Sequence, residues 1–307
     1  MSRIDAVVEA PGPWTHRQVA ANGARFHVAE LGTGPLVLFL HGFPEFWWAW
    51  RHQLPVVAAA GYRAAAMDLR GYGGSDKTPR GYDPMTLAAD VAGVIRCLGA
   101  RDAVVVGHGW GGFVGWAMAA MQPSVVRALA AVCAPHPLQM ARLFASERRH
   151  LGTISQLLAM QVPLVPERRI TAEDCAYVEQ HLRRASAPGS TFPDAEAALR
   201  YRAAMRLWPA PHCALEYHRW LVRSRLRSDG RHFAARMRTP VDVPVLMVEG
   251  ELDPTIPYAG GDAAAYVTGP YRSELLSGAG HYPHEESPDA VAKLLLDWLD
   301  GLDRTAH

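Results

Sequence analysis

Gly107-His108-Gly109-Trp110-Gly111-Gly112 follows the apolar run Ala103-Val104-Val105-Val106 and leads into the helix-forming segment Gly112 to Met121. A buried strand, a turn of small residues and a helix are the context that a nucleophile elbow requires. The flanking residues must be small because the turn is tight. Its central side chain would be thrust into a pocket, with the backbone N–H of Trp110 pointing at a developing oxyanion. Here the centre is Gly109, which has no side chain to offer. Taken alone, the hexapeptide reads equally well as a glycine-rich strand-to-helix turn or as a loop that cradles a phosphate.

Three further segments favour the elbow. His41-Gly42-Phe43-Pro44 comes directly after the apolar run Leu36 to Leu40, where the N–H of Phe43 would supply a second oxyanion donor. The sharp turn needed there makes the Phe43-Pro44 bond a candidate for cis. Met67-Asp68-Leu69-Arg70-Gly71-Tyr72-Gly73-Gly74-Ser75-Asp76 is a glycine-rich loop after a strand and could be a structural turn only. Asp253 follows the strand-like run Val245 to Val248, and His281 follows Ser273 to Leu276. Loops at the ends of adjacent strands would bring both to the elbow's edge of the sheet, in the chain order nucleophile, acid, histidine. His136, His212, His218 and His284 read first as structural histidines.

The runs Arg25 to Leu31, Leu36 to Leu40, Arg63 to Met67 and Ala103 to Val106 read as strands, the last three apolar on both faces. Such strands belong to a mostly parallel sheet covered by helices on each side, here including Met85 to Leu98 and Gly112 to Met121. Ala290 to Leu299 reads as an amphipathic closing helix. The stretch 137–237 has no convincing strand and is broken by Pro163, Pro166, Pro188, Pro193, Pro209 and Pro211 into short helices. The expectation is therefore an α/β fold in which a core, 1–136 and 238–307, carries a helical cap insertion, 137–237. Such a cap would close an apolar pocket at the carboxyl ends of the strands, where open α/β sheets bind ligands.

Composition narrows the partners. The 307 residues include 31 Lys and Arg against 30 Asp and Glu, a formal charge of +1, which gives no reason to expect nucleic acid or an anionic membrane. Nothing from Met1 to Pro13 resembles a signal peptide, and no apolar run is long enough to span a bilayer, so a cytoplasmic protein is expected. Cys97, Cys133, Cys175 and Cys213 are widely spaced, without a metal-binding or redox pattern. No metal or organic cofactor is implied. Monomer and homodimer both stay open.

His41-Gly42-Phe43-Pro44-Glu45-Phe46-Trp47, Trp50-Arg51-His52-Gln53, Asp68-Leu69-Arg70-Gly71-Tyr72-Gly73-Gly74-Ser75-Asp76-Lys77 and Gly107-His108 together resemble the epoxide hydrolases of the α/β-hydrolase superfamily. The resemblance runs along essentially the whole chain and looks closest to an actinobacterial group within that family, also through His212-Cys213-Ala214-Leu215-Glu216-Tyr217. It implies an elbow aspartate that opens the epoxide to an ester, two cap tyrosines that hydrogen-bond the epoxide oxygen, and a His-Asp pair that activates water. This chain departs from that scheme. The aspartate would fall at Gly109; the first tyrosine would fall near Ala159 or Met160; the second would match His218, with Tyr217 one residue away as a substitute.

Two functions follow as expectations. In the first, His281, oriented by Asp253, draws a proton from water beside Gly109, and that water hydrolyses an apolar epoxide or a related reactive ester. The alternative is a catalytically degenerate homologue that binds a small apolar ligand without turnover. The pocket would be formed by His41, Phe43, Pro44, Trp47, Trp48, His108, Trp110, Tyr217 and His218, although the tryptophans read as well as core residues. A serine-dependent hydrolase fares worse, because Ser75 and Ser277 lie in the wrong contexts.

Overall fold

In the computed structural model, residues 7–146, 151–256 and 262–305 are described. The strands are β1 (Thr15–Ala21), β2 (Ala24–Leu31), β3 (Leu36–Leu40), β4 (Arg63–Met67), β5 (Ala103–His108), β6 (Val126–Val132), β7 (Val245–Gly250) and β8 (Tyr271–Leu276). They form one eight-stranded sheet in the order β1-β2-β4-β3-β5-β6-β7-β8. The β1-β2 and β2-β4 pairs are antiparallel; from β4 onward every neighbour is parallel. The helices are α1 (Gln53–Ala59), α2 (Pro84–Cys97), α3 (Trp110–Met121), α4 (Pro137–Ser146), α5 (Leu151–Ala159), α6 (Val165–Ala185), α7 (Ala195–Met205), α8 (Ala210–Arg223), α9 (Ser228–Arg236), α10 (Pro283–Glu286) and α11 (Pro288–Thr305).

The central strands β3, β5 and β7 are buried at every position, as strands covered on both faces must be. Local chemistry starts the helices. Asp83 caps α2 by accepting from the Thr86 N–H at 2.9 Å, with Pro84 already fixed at a helical φ, and Asp194 caps α7 through the Ala197 N–H at 2.8 Å. Two prolines expected to break the cap instead begin its helices, Pro166 in α6 and Pro211 in α8. The 21-residue α6 is longer than the sequence suggests, but it is kinked. Glu173, Asp174 and Cys175 lie in the left-handed region, and Arg202 of α7 donates to the carbonyls freed at Glu173 and Asp174.

From α4 to α9 the described residues contain helices and no strand. The cap is fastened to the core by hydrogen bonds from buried groups. The Tyr217 hydroxyl of α8 donates to the Arg70 carbonyl at 2.7 Å, and the His281 N–H donates to the Ala185 carbonyl at the end of α6, at 2.8 Å. Arg70 itself is buried and makes a two-pronged pair with Asp90 of α2, at 2.7 and 2.6 Å. Asp90→Ala would leave that guanidinium buried without its counter-charge. It is expected to cost about 3–5 kcal/mol in denaturant unfolding, whereas an unchanged midpoint would mean that Arg70 finds water instead.

Candidate active site

Sheet and helix meet at the turn 107–112. A side chain at Gly107 would strike the backbone of Gly111, and one at Gly111 would strike the Leu40 carbonyl, so both positions are closed to anything but glycine. Between them Gly109 takes φ 51° and ψ −113° at the head of α3. Its surroundings are open. A Cβ built there would lie 3.7 Å from Gly42 Cα and 3.9 Å from His281 Nε2, ordinary contact distances, so this position points at the histidine.

His281 Nδ1 lies 2.7 Å from Asp253 Oδ2, and the other oxygen of Asp253 accepts from the N–H groups of Thr255 and Ile256 at 2.7 and 3.0 Å. Burial opposes charge on both side chains, but their mutual attraction and hydrogen bond overcome it. His281 is raised above its ordinary pKa and Asp253 lowered below its own. The fixed carboxylate takes the Nδ1 proton as acceptor, which leaves Nε2 directed at the space beside Gly109.

Behind the histidine lies a second buried cluster. Glu45 accepts from the Gly42 N–H at 2.9 Å and pairs with His108 Nδ1 at 2.7 Å and His284 Nε2 at 2.9 Å; His108 Nε2 in turn meets the His281 carbonyl at 2.8 Å. Burial alone would push the Glu45 carboxyl up, but the two histidines hold it well below the usual carboxylate range. This cluster joins the turn 42–45 that carries Phe43 to the loop that carries His281. The Phe43-Pro44 bond is cis.

A cavity of about 120 Å³ opens beside Gly109 and is lined by Phe43, Trp110, Phe113, His181, His218 and His281, with apolar walls from Ala134, Pro135, Met140, Leu157, Met160 and Leu221. The structure thus brings Gly109, Phe43, Trp110, His218 and His281 to one cavity, with Asp253 directly behind. It separates the other residues that the sequence assigns to the pocket. Trp47 is buried in the core, its Nε1–H donating to the Val8 carbonyl and its ring packed against Trp14 and His16. His41 accepts from the Leu69 N–H through Nε2 and donates from Nδ1 to the Gly42 carbonyl, so both nitrogens are committed away from the cavity. Pro44 and Trp48 are buried outside the lining, Trp48 beneath the Arg51 guanidinium. His108 belongs to the Glu45 cluster. Tyr217 faces Tyr72 and Tyr82 with its hydroxyl on Arg70, so it does not replace a cap tyrosine.

The sequence reading missed His181, on α6. Its ring stands edge-on to Phe43, with centroids 5.2 Å apart, and no protein hydrogen bond reaches it among the described residues. Burial first, with the positive charge of Arg184 and of His281 when protonated, brings it down to about 3, so it is a neutral imidazole facing the cavity. His218 is neutral too, brought down by burial to about 4, but it is occupied: Nδ1 lies 3.0 Å from the Ala214 carbonyl and Nε2 accepts from Trp110 Nε1–H at 3.0 Å. No tyrosine is among the described lining residues, and Met160 stands where the sequence comparison within the cap leads one to look for the first. Ser75 and Ser277 bond to Asp68 and Glu251, away from the cavity.

The sequence pattern of the family described as the α/β hydrolase fold matches residues 35–288. Among curated proteins, Epoxide hydrolase A of Mycobacterium tuberculosis is 32% identical over 328 aligned positions, covering 95% of this chain and 99% of that one. The AB hydrolase superfamily protein YfhM of Bacillus subtilis is 30% identical, covering 92% and 96%. Among solved structures, an epoxide hydrolase from an endophytic Streptomyces superposes with a TM-score of 0.82 at 32% identity, covering 96% of this chain and 97% of that one. No helix among the described residues is long and apolar enough to cross a membrane.

Proposed function

Given that the chain belongs to the α/β hydrolase fold family, with epoxide hydrolases as relatives along nearly its whole length, we propose that it hydrolyses a small apolar epoxide by direct attack of water. The observation that carries this reading is the 3.9 Å between a Cβ position at Gly109 and His281 Nε2. That spacing leaves room for a water within reach of the base.

In this reading neutral His281 takes a proton from the water at Nε2, and Asp253 stabilises the imidazolium that forms. One N–H group, of Phe43 or Trp110, hydrogen-bonds the water oxygen and leaves its other lone pair for the attack. That oxygen bonds to an epoxide carbon, the carbon–oxygen bond of the ring breaks, and the released alkoxide takes back the proton held by His281, giving a vicinal diol. The same amides would serve the tetrahedral intermediate of a reactive ester. His181 is a neutral donor in the cavity with no protein hydrogen bond among the described residues, and it is assigned to the opening oxygen. His181→Phe is expected to lower kcat by about 10²-fold with KM little changed; a change confined to KM would reduce it to a pocket wall.

The test is a single turnover in heavy-oxygen water. Direct attack places label in the diol from the first turnover and none in the protein. Unchanged turnover in His281→Ala would sink the mechanism. A second reading, ligand binding without turnover, is favoured by the lack of a tyrosine among the described lining residues. It would be adopted if the wild type stayed silent toward aryl and alkyl epoxides at every pH while still binding them in thermal-shift measurements.

A further inference from the structure

We infer that the space beside Gly109 is a binding site for the carboxylate of an apolar monoacid, seated between the amides of Phe43 and Trp110 and His281 Nε2. The inference goes beyond hydrolysis and holds with or without turnover, since it concerns what the site binds in the absence of an epoxide.

The site is built from separate elements. Trp110 is the first residue of α3, a helix of 12 residues, and its N–H is one of the donors that a helix leaves unpaired at its start. The Gly42–Phe43 peptide borders the same space, since Gly42 Cα lies 3.7 Å from the Cβ position of Gly109. Neither amide has a protein acceptor among the described residues. The third donor is a side chain only 7% exposed: His281 is held on Asp253 by Nδ1 and has no protein partner on Nε2 among the described residues. Phe43, Trp110 and His281 all line the cavity beside Gly109, and a carboxylate is the compact planar anion that could give one oxygen to the amides and the other to the imidazolium.

The cavity walls limit the rest of the ligand. Among the described residues the lining includes no Lys, Arg, Asp or Glu, and Phe113, Leu157, Met160 and Leu221 suit an apolar body.

Charge at His281 decides the pH dependence. It is faced by Asp253 across their hydrogen bond, by Glu45 and His108 from the buried cluster, by His181 from the cap and by Glu286 from its own loop. An anion on Nε2 favours the protonated ring, so binding must weaken as pH rises through the pKa of His281 and must itself raise that pKa. Base catalysis runs the opposite way, because it needs the neutral ring.

The experiment is calorimetric titration with phenylacetate, phenylacetamide and 2-phenylethanol at about pH 6, where the acid is ionised. Phenylacetate is expected to bind at least 10-fold tighter than the other two, and Gly109→Asp, which fills the space with a like charge, should abolish the preference. Equal affinities for the three, or a preference that survives Gly109→Asp, would overturn the inference. Should that variant fail to fold, the wild type still decides by nuclear magnetic resonance of the His281 ring. Phenylacetate must raise its pKa, and an unmoved titration rejects the site. Epoxide turnover, assayed separately without acid, reports on the hydrolytic reading alone.

Discussion

Replacing Gly109 with aspartate is expected to raise epoxide hydrolysis by about 10²-fold or more over the wild type, because a covalent nucleophile contributes several orders of magnitude when base and oxyanion donors are already in place. The Cβ position meets its neighbours only at 3.7 and 3.9 Å, and it points toward the base. Backbone conformation opposes the change: at φ 51° and ψ −113° any residue with a side chain is strained by about 1–3 kcal/mol, so a lower Tm should accompany the gain. Combining Gly109→Asp with His281→Gln should trap the ester, visible as an intact protein heavier by the mass of one epoxide. A folded Gly109→Asp enzyme with neither gain nor adduct would mean that the cap no longer presents an epoxide to this position.

The second large effect is loss at the acid-histidine pair. His281→Ala should lower wild-type hydrolysis by about 10² to 10⁴-fold, the range that general-base catalysis supplies. The pH profile carries the finer test. Activity needs neutral His281, so the rate should rise with pH through the raised pKa of the histidine and level off above it. In Asp253→Asn, burial is no longer opposed by the carboxylate charge, so the pKa falls and the acid limb moves to lower pH, while the plateau drops because the imidazolium formed in the reaction loses its partner. An acid limb that stayed in place would assign it to another group.

Much of the sheet was legible because its strands are short, apolar on both faces and bounded by glycine-rich turns. Leu36 to Leu40 and Arg63 to Met67 agree with the observed limits, and Ala103 to Val106 extends by two residues. Two strands were not legible. β6, Val126–Val132, contains three alanines and carries little β-propensity of its own; its place between β5 and β7 comes from tertiary pairing. β1 is largely exposed, but Asn22-Gly23, both at positive φ, joins it to β2 in a two-residue turn and was a signal that could have revealed the hairpin.

The candidate site was legible where function sits at strand ends and obscure where it sits on the cap. Asp253 and His281 lie within a few residues of β7 and β8, and that proximity brings them together. Pocket residues read from the motif 41–47 mostly failed, because an aromatic run after a strand can face the core as well as a ligand, and Trp47 turns inward to Val8. His181 was missed because nothing in the sequence of a polar, kinked helix announces which residue faces the cavity.

The hydrogen bond from the His281 N–H to the Ala185 carbonyl ties this histidine to the last residue of α6, and Glu286 strengthens the joint by accepting from the N–H groups of Ala187, Gly280 and Tyr282. A chimera that grafts a relative's cap onto this core would therefore have to restore a carbonyl at that point, or the histidine would be displaced although no catalytic residue had changed. For the same reason amide-exchange protection at His281 should track the anchoring of the cap, giving a local readout of whether foreign helices have seated.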